Sequence, residues 1–122
     1  MMSYSIEFRV PVKGLEDYYI DVGNCYANIT WNLREMIMQS TGLEWKNEKN
    51  NGLCKDVIPH IAHGYAELVQ NPEKYKQYEA ENGWGTIQGC RNFFRQILDD
   101  WDAFCNDYET RDLVDVTYFW IC

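Results

Sequence analysis

Ser5-Ile6-Glu7-Phe8-Arg9-Val10-Pro11-Val12 alternates apolar and polar side chains, with Ile6, Phe8, Val10 and Val12 on one side and Glu7 and Arg9 on the other. A period of two marks a half-buried strand, and Pro11, which lacks an N–H, places an edge or a strand end there. Lys13-Gly14 begins a turn, a second strand follows over residues 17–22, and Gly23-Asn24 ends it, which makes an antiparallel hairpin. Residues 113–121 are rich in β-branched and aromatic side chains; they read as a strand buried on both faces at its end and paired with the hairpin.

Helical spacing fills the middle of the chain. Asn28 or Thr30 can cap a helix running to about Ser40, with Ile29, Leu33, Met36 and Ile37 on one face and Gly42 just past its end. Residues 46–52 read as a polar loop. Asp56 then caps a second helix with Pro59 in its first turn and a buried stripe of Ile58, Ile61, Tyr65, Leu68 and Val69. Asn71-Pro72 stops it and a short helix passes through Tyr75 and Tyr78. The clearest helix starts at Thr86 and carries Ile87, Cys90, Phe94, Ile97, Leu98, Trp101, Cys105 and Tyr108 in one apolar register.

The expected architecture is α+β: a small antiparallel sheet of about three strands, the N-terminal hairpin plus the C-terminal strand, covered by three or four helices. The alternative is a helical bundle with a peripheral hairpin. At 122 residues and 46% apolar content, one domain spanning residues 1–122 is expected. No apolar run is long enough for a membrane span and the start lacks a signal-peptide pattern, so a cytoplasmic location is expected. Five cysteines, an odd number without a Cys-x-x-Cys pair, then read as free thiols, with Cys90 and Cys105 in the core and no activating base beside Cys25 or Cys54.

A net charge of −8 argues against direct capture of nucleic acid or an anionic membrane. Residues 99–115 hold Asp99, Asp100, Asp102, Asp107, Glu109, Asp112 and Asp115 against Arg111 alone, and so carry −6 of that charge. This segment is either a solvated surface or an acidic face, chiefly Asp99, Asp100, Asp102, Asp107 and Glu109, for a basic partner protein.

No nucleophile motif or phosphate-binding glycine loop is present, and no catalytic residue or cofactor is expected. Asp56, His60, His63 and Glu67 share a helix face, but two histidines three apart differ from the usual zinc spacing of four, and a solvated face accounts for them. What remains is a set of amides, hydroxyls and indoles at three helix entrances: Asn24, Asn28, Thr30, Trp31 and Asn32; Asn51, Gly52 and Lys55; and Asn82, Trp84 and Thr86. Brought together they suit a small polar or nucleotide-like ligand, because amides pair with base or sugar edges and aromatics cover faces. Local capping explains the same residue types without a ligand.

The runs Phe8-Arg9-Val10-Pro11-Val12, Ala27-Asn28-Ile29-Thr30-Trp31-Asn32-Leu33, Asp56-Val57-Ile58-Pro59-His60-Ile61 and Asn82-Gly83-Trp84-Gly85-Thr86 resemble a scattered family of short uncharacterised proteins from bacteria and their phages. The resemblance spans most of the chain. It departs at Trp31, where that family varies, and at Gln88, where it often has an acid. The resemblance implies a phage or mobile-element accessory role, with two possible forms: counter-defence by sequestering a nucleotide signal, or inhibition of a host nucleic-acid enzyme by covering its basic surface.

Overall fold

The computed structural model describes residues 3–81, 83 and 85–122. The motif residues Asn82 and Trp84 lie outside them. Strand β1 (Ser3–Pro11) keeps the expected alternation, burying Tyr4, Ile6, Phe8 and Val10 on one face. It pairs antiparallel with β2 (Tyr19–Asp21) and with β5 (Tyr118–Ile121). The fold is α+β.

The sheet has five strands, two more than expected, in the order β2-β1-β5-β4 with β3 also on β1. β3 (Asn28–Thr30) pairs with residues 3–5 of β1, so Asn28 is a strand residue and not a helix cap. β4 (Lys49–Leu53) occupies the stretch expected as a loop. Its Lys-Asn-Asn-Gly sequence has low strand propensity, and pairing with β5 imposes the extended form. β5 is shorter than expected, because residues Arg111–Val116 form a 3-10 turn first. Nor is it buried on both faces: Phe119 and Ile121 are in the core, whereas Tyr118 and Trp120 are half-exposed on the outer face.

Helix α1 (Arg34–Thr41) follows a 3-10 turn over Trp31–Leu33, capped by Thr30, whose hydroxyl accepts the Asn32 N–H at 3.4 Å. Gly42 ends it with φ of 75°, a conformation glycine adopts without a Cβ penalty. Helix α2 (Cys54–Gln70) starts two residues before Asp56, which therefore lies in the first turn and favours the helix dipole without capping it. Pro59 falls in the second turn, not the first. The buried stripe is Cys54, Val57, Ile61, Gly64 and Leu68, rotated from the expected one; Ile58 and Tyr65 are half-buried and Val69 is exposed. A seven-residue 3-10 helix, Pro72–Tyr78, follows it.

Helix α3 (Ile87–Asn106) is capped by Thr86, whose hydroxyl accepts the Gly89 N–H at 3.0 Å. It lies across β1, with Phe8 edge-on to Trp101 at 5.3 Å and to Phe104 at 5.5 Å. Tyr108, expected in its apolar register, falls past its end and is exposed. No described helix is long and apolar enough to cross a membrane.

Candidate functional site: an amide groove and an acidic notch

The first and third amide-rich stretches meet. A Cβ built on Gly85 would come within 2.8 Å of the Leu33 side chain, so the backbone before α3 rests on the turn before α1. Gly85 does not need a positive φ; Gly83, two residues earlier, has one of 76°. Gly85→Ala should therefore destabilise the fold by roughly 1–3 kcal/mol through overpacking against Leu33, measurable by urea denaturation. Unchanged stability would show that Leu33 yields freely.

The second stretch stands apart, on the opposite edge of the sheet. There the Asn51 amide is occupied by the backbone of Lys46 and Lys49, and Lys55 lies 3.8 Å from Asp115. At the first stretch, Trp31 stacks on Tyr4 at 5.7 Å, Thr30 is spent on its cap, and Asn32 is exposed. The Asn28 Nδ2 donates to Ser5 Oγ at 2.9 Å and Ser3 Oγ at 3.3 Å, and its side-chain oxygen has no described partner.

Asn28 borders a groove of about 330 Å³ against the first turns of α3, lined also by Tyr26, Gly89, Asn92, Phe93 and Gln96. Its helical wall is a ladder of side chains four residues apart. Gln88 Nε2 donates to Asn92 Oδ1 at 2.8 Å, Gln96 Nε2 donates to Asp100 Oδ1 at 2.8 Å, and Asp100 Oδ2 accepts the Tyr26 N–H at 2.8 Å. These bonds fix the amides while the Asn92 Nδ2 donor and the Gln96 Oε1 acceptor have no described partner. The exposed ring of Tyr26 supplies an aromatic face. Tyr26, Asn92 and Gln96 were missed in sequence; the signal was the spacing of Gln88, Asn92 and Gln96 along one helical face.

The acidic segment divides. Asp99 pairs with Arg95 at 3.1 Å, and Asp102 turns to Asn106. Asp100, Asp107 and Glu109 instead line a notch of about 180 Å³ with Gly23, Asn24 and Thr110. Asp107 Oδ1 accepts the Glu109 N–H at 2.7 Å and shapes the turn after α3. No protein family, curated protein or solved structure matches the chain. The site is therefore read from its own chemistry.

That chemistry offers little to a nucleophile. Burial pushes the Cys25 thiol up to about 12, and it also raises Cys54, Cys90 and Cys105. Burial, with the Glu7 hydrogen bond, lifts Cys122 to about 11. Protonated thiols are poor nucleophiles at neutral pH. On the face with Asp56 and His63, His60 Nδ1 meets the Thr41 carbonyl at 3.2 Å, while Glu67 accepts from Tyr75 at 2.7 Å and from Asn71 at 2.8 Å. Among the described residues, no three His, Cys, Asp or Glu side chains gather as a metal site.

Proposed function

We propose that this chain is a non-catalytic accessory protein of a phage or mobile element that binds a small polar, nucleotide-like molecule in the groove of Tyr26, Asn28, Asn92 and Gln96, and that it serves counter-defence by sequestering that molecule. The observation that carries the reading is the convergence of three amides and one exposed aromatic ring on a single 330 Å³ groove. Its volume is at the lower end of small-ligand sites, and its donors and acceptors can pair with a base edge while the phenol ring covers a face. The accessory role is supported only by the resemblance carried by Phe8-Arg9-Val10-Pro11-Val12, Ala27-Asn28-Ile29-Thr30-Trp31-Asn32-Leu33, Asp56-Val57-Ile58-Pro59-His60-Ile61 and Asn82-Gly83-Trp84-Gly85-Thr86.

Thermal-shift measurements with nucleosides, nucleotides, sugars and amino acids test it. A ligand at about 100 times its Kd stabilises by about 2.7 kcal/mol, and the shift should disappear in the double variant Asn92→Ala, Gln96→Ala. If no compound class raises the melting temperature, or if the double variant keeps the shift, the groove is not a binding site.

A second reading is favoured by the notch of Asp100, Asp107 and Glu109: a protein inhibitor that engages a basic surface of a host nucleic-acid enzyme. Association should weaken steeply with salt, since exposed charges are screened over about 8 Å at physiological ionic strength. Asp107→Asn, which keeps the acceptor for the Glu109 N–H, combined with Glu109→Lys should abolish partner binding and leave nucleotide binding intact. Asp100 is unsuited to this test because it also holds the Tyr26 backbone.

A further inference from the structure

The two edges of the sheet are finished differently. On β4, Asn51 Nδ2 donates to the Lys49 carbonyl at 2.9 Å and the Lys46 carbonyl at 2.8 Å, Asn51 Oδ1 accepts the Lys46 N–H at 2.9 Å, and Asn50 Oδ1 accepts the Gly52 N–H at 2.9 Å. Side-chain amides thus tie down the backbone around the irregularity between Asn50 and Leu53, and such a bulge disfavours an added strand.

On β2 no such device exists among the described residues. The Val12 N–H donates to the Tyr18 carbonyl at 2.8 Å and the Val22 N–H to the Phe8 carbonyl at 2.8 Å, while Val10 stands opposite Ile20. In an antiparallel ladder this phase turns the N–H and C=O of residues 18, 20 and 22 toward β1, and those of Tyr19 and Asp21 away from it. No described residue pairs with these outward groups. Further along the same edge, the Tyr26 N–H is taken by Asp100. The open stretch is flanked by Leu15, Tyr18 and Ile20, which are 54%, 64% and 53% exposed.

We propose that β2 is a docking edge for an extended basic segment of a partner protein, which adds as a strand beside Tyr19 and Asp21 and sets a Lys or Arg side chain into the notch of Asp100, Asp107 and Glu109. This rests on the second reading above. Strand addition takes its affinity from main-chain hydrogen bonds and its specificity from side-chain pockets. Here edge and pocket are continuous: Gly23 and Asn24, which line the notch, follow Asp21 by two and three residues, at most about 10 Å of chain. Charge selects the occupant. Glu16, Asp17 and Asp21 on the hairpin and the three notch carboxylates are six acids against Lys13, Arg9 opposite Asp21, and Arg111 beside the notch, so a second copy would bring an acidic excess to an acidic excess, whereas a basic strand is complementary.

The test uses the full chain and a blocked peptide of about ten residues, alternating threonine and valine with two arginines at one end. Hydrogen exchange followed by NMR should show the Tyr19 and Asp21 amides protected about tenfold or more on peptide addition, with protection lost at high salt. Asp21→Pro removes one outward N–H without touching the β1 ladder and should abolish binding, whereas Asp21→Asn, which keeps the N–H, should retain it. The measurement on the unaltered chain stands even if the proline variant fails to fold. Unprotected Tyr19 and Asp21 amides, or equal binding by a folded Asp21→Pro variant, would overturn the strand addition. If binding then still disappeared in the Asp107→Asn, Glu109→Lys variant, the acidic-surface reading would survive alone. Equal binding of a peptide with glutamates in place of arginines would overturn the basic occupant. So would protection of the same amides by self-association without peptide.

Discussion

Trp45→Ala should lower the free energy of unfolding by about 3–5 kcal/mol, a large share of the roughly 5–15 kcal/mol that holds a domain together. Trp45 is 1% exposed and belongs to no helix or strand, yet its ring bridges three elements. It meets Tyr4 of β1 at 5.8 Å, Phe93 of α3 at 6.0 Å and Phe119 of β5 at 6.0 Å, each edge-on. Arg34 donates to its carbonyl at 2.9 Å and pins the segment that carries it. Its indole N–H is buried with no partner among the described residues. Trp45→Phe keeps much of the aromatic packing and removes that unsatisfied donor, so it should cost far less than alanine. Urea denaturation reads both variants, and an alanine variant within 1 kcal/mol of the parent would contradict the bridging role.

Gly64→Val should destabilise by about 3 kcal/mol, and even Gly64→Ala should destabilise. In an exposed helix interior, alanine for glycine normally stabilises by about 1 kcal/mol, so the sign itself is diagnostic. A Cβ on Gly64 would lie 2.7 Å from Thr41 Cγ2 and 2.9 Å from Phe94 Cε2, at the point where α1, α2 and α3 converge. Thr41→Ser removes the first of these methyl contacts while keeping a hydroxyl that can donate to the Ile37 carbonyl. It should recover part of the loss in the Gly64→Ala background, as thermal unfolding of the four variants would show. Full independence of the two changes would mean that Phe94 alone sets the limit.

Local pattern carried the reading as far as local physics decides the outcome. β1 and α3 were legible because their periods of two and about 3.6 persist over many residues, and Thr86 and Gly42 mark helix ends by their own chemistry. The register of α2 was misjudged because its start was placed at Asp56, past Cys54, and because Gly64 counts for little on an apolar scale, yet both Cys54 and Gly64 are buried. β4 was illegible because a polar strand becomes a strand only through its neighbour β5. The site followed the same division. Asn28, named from its residue type and place in the chain, borders the groove, while Tyr26, Asn92 and Gln96 join it only through the packing of β3 on α3. Asn51 was noticed for its chemistry, and that chemistry serves the sheet edge.

The place of β5 between β1 and β4 also bears on how the molecule assembles. Cys122 and Glu7 touch across 115 residues of chain, and the strand that joins the two halves of the sheet is built from residues 118–121. Such pairing requires a long loop to close before any contact rewards it, so the sheet is the slow, non-local part of folding while the helices can form early from near neighbours. Until residues 118–121 reach their position, β1 and β4 have no partner between them. During synthesis the edge of β1 that receives residues 118–121 stays open until they emerge, and an unpaired strand edge is prone to aggregation for that interval.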